Sequence, residues 1–316
     1  MRQLTSGERL PSRPVVTIGT FDGVHRGHQA LFNRARELAA QLGTTWVVLT
    51  FDRPPFAVLR RERGRVEITP LGEKLDLLDA AGVPLVGVLE FDRRLSRLPP
   101  EAFLTDVVSG WLNASAVVEG SNFTFGAGAR GNTVTLKAWA DGHGVVLEVL
   151  PRHSATRGWS STRAREAIRS SHLAVAEGIL GRPVSAVGTV VPGDGRGSSI
   201  GIPTANMSLP RTKLMPAVGV YAGRLSWAGE MGRVAVANWG TRPTFGGEEE
   251  RLEVHIPDWT GDLVGQTVTF EFLHFIRGTM RFDGPAALVR QIQEDVSSAR
   301  RLLVEIPASA SPRRDR

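Results

Sequence analysis

The stretch Val15-Val16-Thr17-Ile18-Gly19-Thr20-Phe21-Asp22-Gly23-Val24-His25-Arg26-Gly27-His28 decides the fold of the first half of the chain. Its first four residues are a mostly β-branched run that reads as a buried strand. Glycines at 19, 23 and 27 then open a turn in which the backbone can approach a phosphate closely. Leu31, Phe32, Ala35, Leu38, Ala39 and Leu42 follow at helical spacing. Strand, glycine-rich turn and helix start together favour a bound anion, through backbone N–H groups and the helix dipole. Two of the chain's seven histidines, His25 and His28, fall at this helix start, where imidazoles can donate to a phosphate and steady a departing anion. The loop holds no lysine, so it is not a Walker loop. No further histidine or carboxylate follows at ligand spacing, which disfavours a metal site.

Outward from this stretch, apolar runs at 46–49, 85–89, 116–118 and 145–150 read as further strands, with helical patterns at 73–81 and 101–111 between them. That alternation implies parallel strands joined by helices, with ligands at the carboxyl ends of the strands. After about Leu180 the texture changes to short strands at 187–191, 219–227, 233–237 and 267–275, separated by Gly and Pro. Such a pattern predicts a small antiparallel barrel or sandwich. Pro285 opens a final amphipathic helix carrying Ala287, Leu288, Ile292, Val296, Ala299 and Leu303. The expected division is 1–180, 181–306, and a frayed tail at 307–316.

A length of 316 residues agrees with two domains rather than one. Zero cysteines exclude a disulfide framework, zinc ribbons and thiolate catalysis. No apolar run approaches the roughly 18 residues of a membrane helix. Residues 1–13 are polar and lack the apolar core of a secretory signal, so the expected location is the cytoplasm. The net charge of +6 invites a nucleic-acid reading. The basic residues are nearly all arginine, scattered among acids with no block longer than two, which disfavours that reading. Nothing in the sequence fixes the oligomeric state, and a homo-oligomer stays open.

Three later segments carry candidate chemistry. Ser160-Ser161-Thr162-Arg163-Ala164-Arg165 precedes a helix that Ser161 or Thr162 can cap while reaching a phosphate, with Arg165 on the first turn. Asn122 lies at the end of the strand at 116–118, where ligands bind. In the second half, Gly195 to Asn206 is a glycine-rich loop ending in Pro203-Thr204-Ala205-Asn206. If extended, Thr204 and Asn206 share a face, and their neutral oxygens can hold Mg²⁺ with triphosphate oxygens. Asn238-Trp239-Gly240-Thr241-Arg242-Pro243-Thr244 reads as a rigid turn. In Arg251-Leu252-Glu253-Val254-His255-Ile256, alternation puts Glu253 and His255 opposite three apolar residues. A carboxylate there can accept a proton from an attacking hydroxyl. Taken alone, the pair also describes the solvent face of an amphipathic strand.

Together, the ten residues from Gly19 to His28, Pro203-Thr204-Ala205-Asn206 and Glu253-Val254-His255 resemble the bifunctional riboflavin kinase/FMN adenylyltransferase family, the bacterial FAD synthetases. The resemblance spans about 14–303. It implies an α/β Rossmann-like nucleotidyltransferase domain followed by a riboflavin kinase-like β-barrel with a C-terminal helix. It also implies two reactions, riboflavin with ATP to FMN, then FMN with ATP to FAD and pyrophosphate, with Mg²⁺ as cofactor. By the same resemblance, His25 and His28 bind the ATP phosphates and steady pyrophosphate. Gly19, Phe21, Asp22, Gly23, Gly27, Asn122, Ser161, Thr162 and Arg165 complete that nucleotide site. In the kinase half, Gly201 belongs to the ATP loop, Thr204 and Asn206 hold Mg-ATP, Glu253 is the base, and Arg277 and Phe282 lie by the flavin.

The chain departs from the family pattern at several loops. Arg53 and Pro54 stand in Phe51-Asp52-Arg53-Pro54-Pro55 where the family often has Phe-x-Pro-His-Pro. Ser198 replaces an arginine of the kinase loop, Val264 a tyrosine, and Thr279 the glutamate after Arg277. These changes leave a second reading open: a divergent paralog that acts on a modified flavin or retains one of the two activities.

Overall fold

A computed structural model describes residues 1–5, 7–59, 66–151, 158–195, 197, 200–244 and 247–304. The expected tail at 307–316 and the altered Ser198 lie outside the described residues. The chain divides into two compact units: 1–164 with 179–181, and 165–178 with the chain from 182 onward. Residues 165–178 thus fall with the second unit, whereas the sequence texture set the join at 180.

The first unit is a six-stranded parallel sheet built from β1 (Arg2–Leu4), β2 (Val15–Ile18), β3 (Trp46–Phe51), β4 (Leu85–Leu89), β5 (Ala116–Gly120) and β8 (Val146–Leu150). Their spatial order is β1-β4-β3-β2-β5-β8. Strand side chains alternate between two cores, which explains the continuous apolar runs. Val15, Val48, Val86 and Val118 pack with Phe32, Ala35 and Leu38 of α1 (Arg26–Gln41) and Leu78 of α3 (Leu71–Ala80). Val16, Leu49 and Val117 pack on the other face with Leu104, Trp111, Leu136 and Trp139. The last two come from α5 (Thr133–His143). A short α2 (Pro55–Leu59) and a two-stranded ribbon, β6 (Thr124–Phe125) with β7 (Gly131–Asn132), complete the unit.

Two elements differ from expectation. The polar N-terminus supplies β1, whose Arg2 pairs with Leu85 at the sheet edge. The helix expected at 101–111 begins as α4 (Pro100–Phe103) and widens into a π-helix at Leu104–Trp111. Its Val107 carbonyl accepts from Leu112 N–H, five residues on.

In the second unit, α6 (Ser161–Arg169) contributes its residues from Arg165, and α7 (Leu173–Leu180) its residues to Gly178. A closed antiparallel barrel follows, in the order β10-β13-β12-β11-β14-β9. Its strands are β9 (Val184–Val191), β10 (Thr204–Ser208), β11 (Gly219–Trp227), β12 (Glu230–Thr244), β13 (Gly247–His255) and β14 (Thr267–Arg277). Closure leaves no free strand edge. The segment from Asn238 to Thr244, read from sequence as a turn, is the second half of β12 and pairs residue by residue with β13. The final helix, α8 (Pro285–Val304), packs Ala299 and Leu303 on Val220, Ala222 and Val236 of the barrel.

Candidate functional site

In the first unit a cleft of about 690 Å³ opens at the carboxyl ends of the strands. The chain runs outward through β3 and β4 on one side of β2 and returns through β5 and β8 on the other. β2 and β5 pair only at Val15–Ala116 and Val16–Val117 and then part. Such a reversal leaves a crevice, the usual ligand position in an open parallel sheet.

The turn between β2 and α1 is held in an uncommon shape. Phe21, Gly23 and Val24 all have positive φ, at 45°, 86° and 40°. Only glycine adopts this region freely, so two of the three carry strain that the surroundings must hold. Asp22 supplies the hold. Its buried carboxylate accepts from Thr69 N–H at 2.9 Å, Ile68 N–H at 3.2 Å and Thr69 Oγ1 at 3.3 Å, while Gly23 N–H donates to Thr69 Oγ1 at 2.8 Å. Through these bonds Asp22 and Gly23 brace the turn. Gly19 and Gly27 line the cleft. A Cβ on Gly19 would meet the Phe21 ring at 3.0 Å, and one on Gly27 the His25 ring at 3.0 Å. These glycines therefore make room for two rings, a role the sequence reading had given to phosphate approach.

His25 is the N-cap of α1, and its Nδ1 accepts from His28 N–H at 3.3 Å. That bond leaves the ring proton of a neutral His25 on Nε2. The His25 and His28 rings stack at 3.5 Å between centroids, and Phe21 packs edge-on against His28 at 5.1 Å. Both histidines line the cleft at the positive end of α1.

The two flanks of the cleft differ in chemistry. Over β3 and β4 it is apolar, with Phe51, Leu95 and Phe91, and the two phenylalanines meet edge to face at 5.4 Å. Over β5 and β8 it carries Gly120, Ser121, Asn122 and the segment from Ser160 to Thr162. Ser161 Oγ donates to the Asp22 carbonyl at 2.8 Å, so this hydroxyl ties the helix start to the turn. The cap of α6 is Ser160, whose Oγ accepts from Arg163 N–H at 3.3 Å, and not Ser161 or Thr162 as expected. The lining ends at Thr162, and Arg165 belongs to the second unit. Sequence reasoning missed Glu119, which lines the cleft at the end of β5. A lone carboxylate closing an apolar run was the available signal.

A second cleft, of about 580 Å³, lies in the second unit between barrel strands and α8. Cross-strand pairing aligns Asn206 of β10 and Asn238 of β12 on either side of Glu253 in β13, with Thr204 opposite His255. All five line the cleft, while Leu252 and Val254 are buried on the opposite face, as the alternation predicted. Asn238 was missed because its segment was read as a turn. His255 Nδ1 donates to the Pro203 carbonyl at 2.8 Å, fixing its ring. Asn206 Oδ1 lies 3.4 Å from Arg251 Nη1. A Cβ on Gly193 would strike the Asn206 amide nitrogen at 2.2 Å, and one on Gly197 the Ile202 carbonyl at 2.3 Å, so both positions need glycine. Among the described residues no cluster of three His, Asp or Glu could hold a metal ion.

At the far end of this cleft Arg277 forms a fork to Asp295 of α8, with Nη2 at 2.7 Å and Nε at 3.0 Å from its oxygens. Its guanidinium also lies 5.8 Å from the Phe282 ring. Both residues line the cleft, but the arginine's fork is engaged in joining α8 to β14. Gly201 is exposed with φ 77° and does not line the cleft, although Ile200 and Ile202 on either side do.

The FAD synthetase family matches residues 8–163 and the riboflavin kinase family residues 180–303. The bifunctional riboflavin kinase/FMN adenylyltransferase of Listeria monocytogenes is 33% identical over 305 residues, 96% of either chain. The chain belongs to the bifunctional riboflavin kinase/FMN adenylyltransferase family. The enzyme of that name from Escherichia coli K12 is 36% identical over 90% of this chain and 91% of its own. A solved structure from Streptococcus pneumoniae, described as a macrolide-efflux protein, is 34% identical with a TM-score of 0.81, covering 92% of this chain and 95% of that one. Among the described residues no helix is long and apolar enough to cross a membrane.

The positions at which the chain departs from the family pattern fall on different ground. Thr279 lines the second cleft, whereas Val264 is exposed outside both. Pro54 is buried, and Arg53 is paired with Asp52 at 2.7 Å.

Lys74 was not singled out from sequence, and the structure gives it a structural task. Its buried Nζ donates to the carbonyls of Phe51 at 2.7 Å and Thr20 at 3.1 Å, tying the end of β3 to the glycine-rich turn. Burial pushes its ammonium down to about 8, against the pull of Asp22, Glu67 and Asp52. The folded chain therefore holds fewer protons here than the unfolded chain between about 8 and the ordinary 10.5. Stability rises with pH across that window and is lost again as pH falls through 8. Against Lys74→Met, the wild type should gain up to about 3 kcal/mol of relative stability on going from about pH 7 to about pH 10.5. Urea unfolding at the two pH values measures it, and a difference that does not move with pH would contradict the depressed ammonium.

Proposed function

We propose that the chain makes FMN from riboflavin and ATP in the barrel unit and FAD from FMN and ATP in the sheet unit. The observation that carries this reading is that each unit has its own cleft with its own candidate phosphate-handling set. His25 and His28 stack at a helix N-terminus in one cleft, and Thr204, Asn206, Asn238 and Glu253 converge from three strands in the other.

In the barrel unit, the Glu253 carboxylate accepts the proton of the ribityl terminal hydroxyl. That oxygen attacks the γ-phosphorus of ATP, and ADP leaves. Thr204 and Asn206, which line this cleft, would hold Mg²⁺ through their neutral side-chain oxygens. When bound, the ion neutralises triphosphate charge. Asn238 flanks Glu253 and orients the nucleophile or its carboxylate. The apolar wall of Val220, Val236, Leu288 and Ile292 excludes water from the flavin end.

In the sheet unit, an FMN phosphate oxygen attacks the α-phosphorus of ATP and the bond to the β-phosphate oxygen breaks. Charge grows on departing pyrophosphate, where the His25 and His28 imidazoles and the N-terminus of α1 stabilise it. The aromatic flank over β3 and β4 accommodates the flat isoalloxazine. The small and hydroxyl-bearing flank over β5 and β8, with Asn122 and Thr162, takes the adenosine of ATP. Phosphoryl and nucleotidyl transfer need chiefly positioning and charge stabilisation, which this sparse set supplies.

Purified chain given riboflavin, ATP and Mg²⁺ should yield FMN, then FAD with pyrophosphate, resolved by chromatography. Absence of both flavin products overturns the reading. FMN alone removes the adenylyltransferase half and favours the paralog with one activity.

A further inference from the structure

Asp194 lines the barrel cleft together with Thr204, Asn206 and Glu253, and the kinase reaction as described gives it no part. Its place follows from the pairing around β10. Asn206 stands opposite Val191, the last residue of β9, on one side and Glu253 of β13 on the other. The chain leaves β9 through Pro192 and Gly193 and reaches Asp194. The β9 side and the β13 side of Asn206 thus each supply one carboxylate to the same cleft.

The segment that carries Asp194 is packed against the two residues proposed to hold Mg²⁺. The Cβ position of Gly193 lies 2.2 Å from the Asn206 amide nitrogen, and that of Gly197 lies 3.4 Å from Thr204 Oγ1. Asp194 therefore follows directly on a residue in contact with Asn206.

The chemistry of this donor set calls for a negative charge. Thr204 and Asn206 offer only neutral oxygens, and Arg251 Nη1 lies 3.4 Å from Asn206 Oδ1. Neutral donors beside a guanidinium hold a dication weakly. Mg²⁺ is commonly held by one or two carboxylates together with substrate phosphates and water. Three carboxylates line the cleft: Asp194, Glu253 and Asp295. Asp295 is engaged by the Arg277 fork, with Nη2 at 2.7 Å. Glu253 accepts the ribityl proton in the proposed reaction, and a dication on it would lower its basicity. Neither task falls to Asp194. A carboxylate facing a triphosphate repels it, and a cation between the two turns that repulsion into attraction.

We infer that Asp194 is a metal-holding residue of the barrel cleft, whose carboxylate supports, beside Thr204 and Asn206, the Mg²⁺ that accompanies ATP in riboflavin phosphorylation. The inference rests on the kinase reading above. It divides the charged work between two strands: the carboxylate on the β9 side holds the ion, and the one on the β13 side takes the proton. Phosphate oxygens complete such a site, in accord with the finding that among the described residues no three His, Asp or Glu side chains cluster to hold an ion.

Asp194 is exposed, and Asp194→Asn keeps its size while removing the charge. At saturating riboflavin and ATP, the free Mg²⁺ for half-maximal FMN synthesis should rise about tenfold in the variant, with kcat at saturating Mg²⁺ within about twofold. The Mg²⁺ requirement of FAD synthesis from supplied FMN should be the same in both chains and reports an intact protein. Titration with Mn²⁺ in the presence of ADP, read by loss of the free-ion electron paramagnetic resonance signal, measures the ion without turnover. The sheet unit is the same in both chains, so the difference between them reports the barrel, where Mn²⁺ should bind about tenfold more weakly in the variant. Unchanged Mn²⁺ binding, or a fall in kcat with an unchanged Mg²⁺ requirement, would overturn the role of Asp194 and leave the kinase reading in place, because FMN is still made. A wild-type chain that makes no FMN counts against that reading, and with it against this one.

Discussion

His28→Ala should lower FAD formation about 100- to 1000-fold and leave FMN formation within about twofold, because one preorganised donor at a developing negative charge is worth that much. The geometry makes His28 the cleaner of the two histidines to remove. It lies inside α1, where alanine is a good helix former, and its backbone N–H can still donate to His25. His25 has a second task as the N-cap, so His25→Ala removes an imidazole and also about 1 kcal/mol of helix stability. The stack at 3.5 Å also means that the second ring braces the first. Removing His28 therefore frees His25 to move, and the two losses should be less than additive. Rates of FMN and FAD formation on one preparation measure both effects. Equal loss of the two products with the fold intact would mean that the reactions are not divided between the units as proposed.

Residues whose surroundings are local were legible in the sequence, and those whose surroundings are distant were not. The central strands could be read because burial on both faces demands unbroken apolar runs, and glycine marks where β2 ends. The edge strand β1 could not, since Arg2-Gln3-Leu4 is short and polar but for Leu4, which the fold buries. Glu253 and His255 were legible through period-two alternation. Asn238 was hidden by the glycine and proline that follow it, which carry turn chemistry that barrel closure overrides. The bracing role of Asp22 was hidden for the same kind of reason. A carboxylate in a glycine-rich loop looks free to meet a ligand's environment, but its partners, Ile68 and Thr69, lie 46 and 47 residues away. Glu119 needs a still less local fact, the point at which two neighbouring strands stop pairing. Of the candidate site residues, the sequence identified those that a strand or helix period aims at a cleft, and it overlooked those that a crossing or a splay brings there.

Glu253→Gln gives the complementary separation. It should lower kcat for FMN synthesis about 100- to 10,000-fold, the range for loss of a positioned base. Formation of FAD from supplied FMN should be unaffected. The substitution keeps the side chain's length and its ability to accept hydrogen bonds between Asn206 and Asn238, so the barrel has no reason to rearrange. The opposite face of β13, Leu252 and Val254, stays packed in the core. Substrate contacts by Thr204, Asn206 and the apolar wall are also kept, so the KM values for riboflavin and ATP should move by less than about threefold. A fall in kcat without a matching rise in KM is the pattern of an interaction made in the transition state. If instead KM rises and kcat holds, Glu253 binds the ribityl chain and the proton leaves by another route. Asn238→Ala then discriminates further: as an orienting neighbour of Glu253 it should lower kcat less than Glu253→Gln does, and the double variant should be no slower than Glu253→Gln alone.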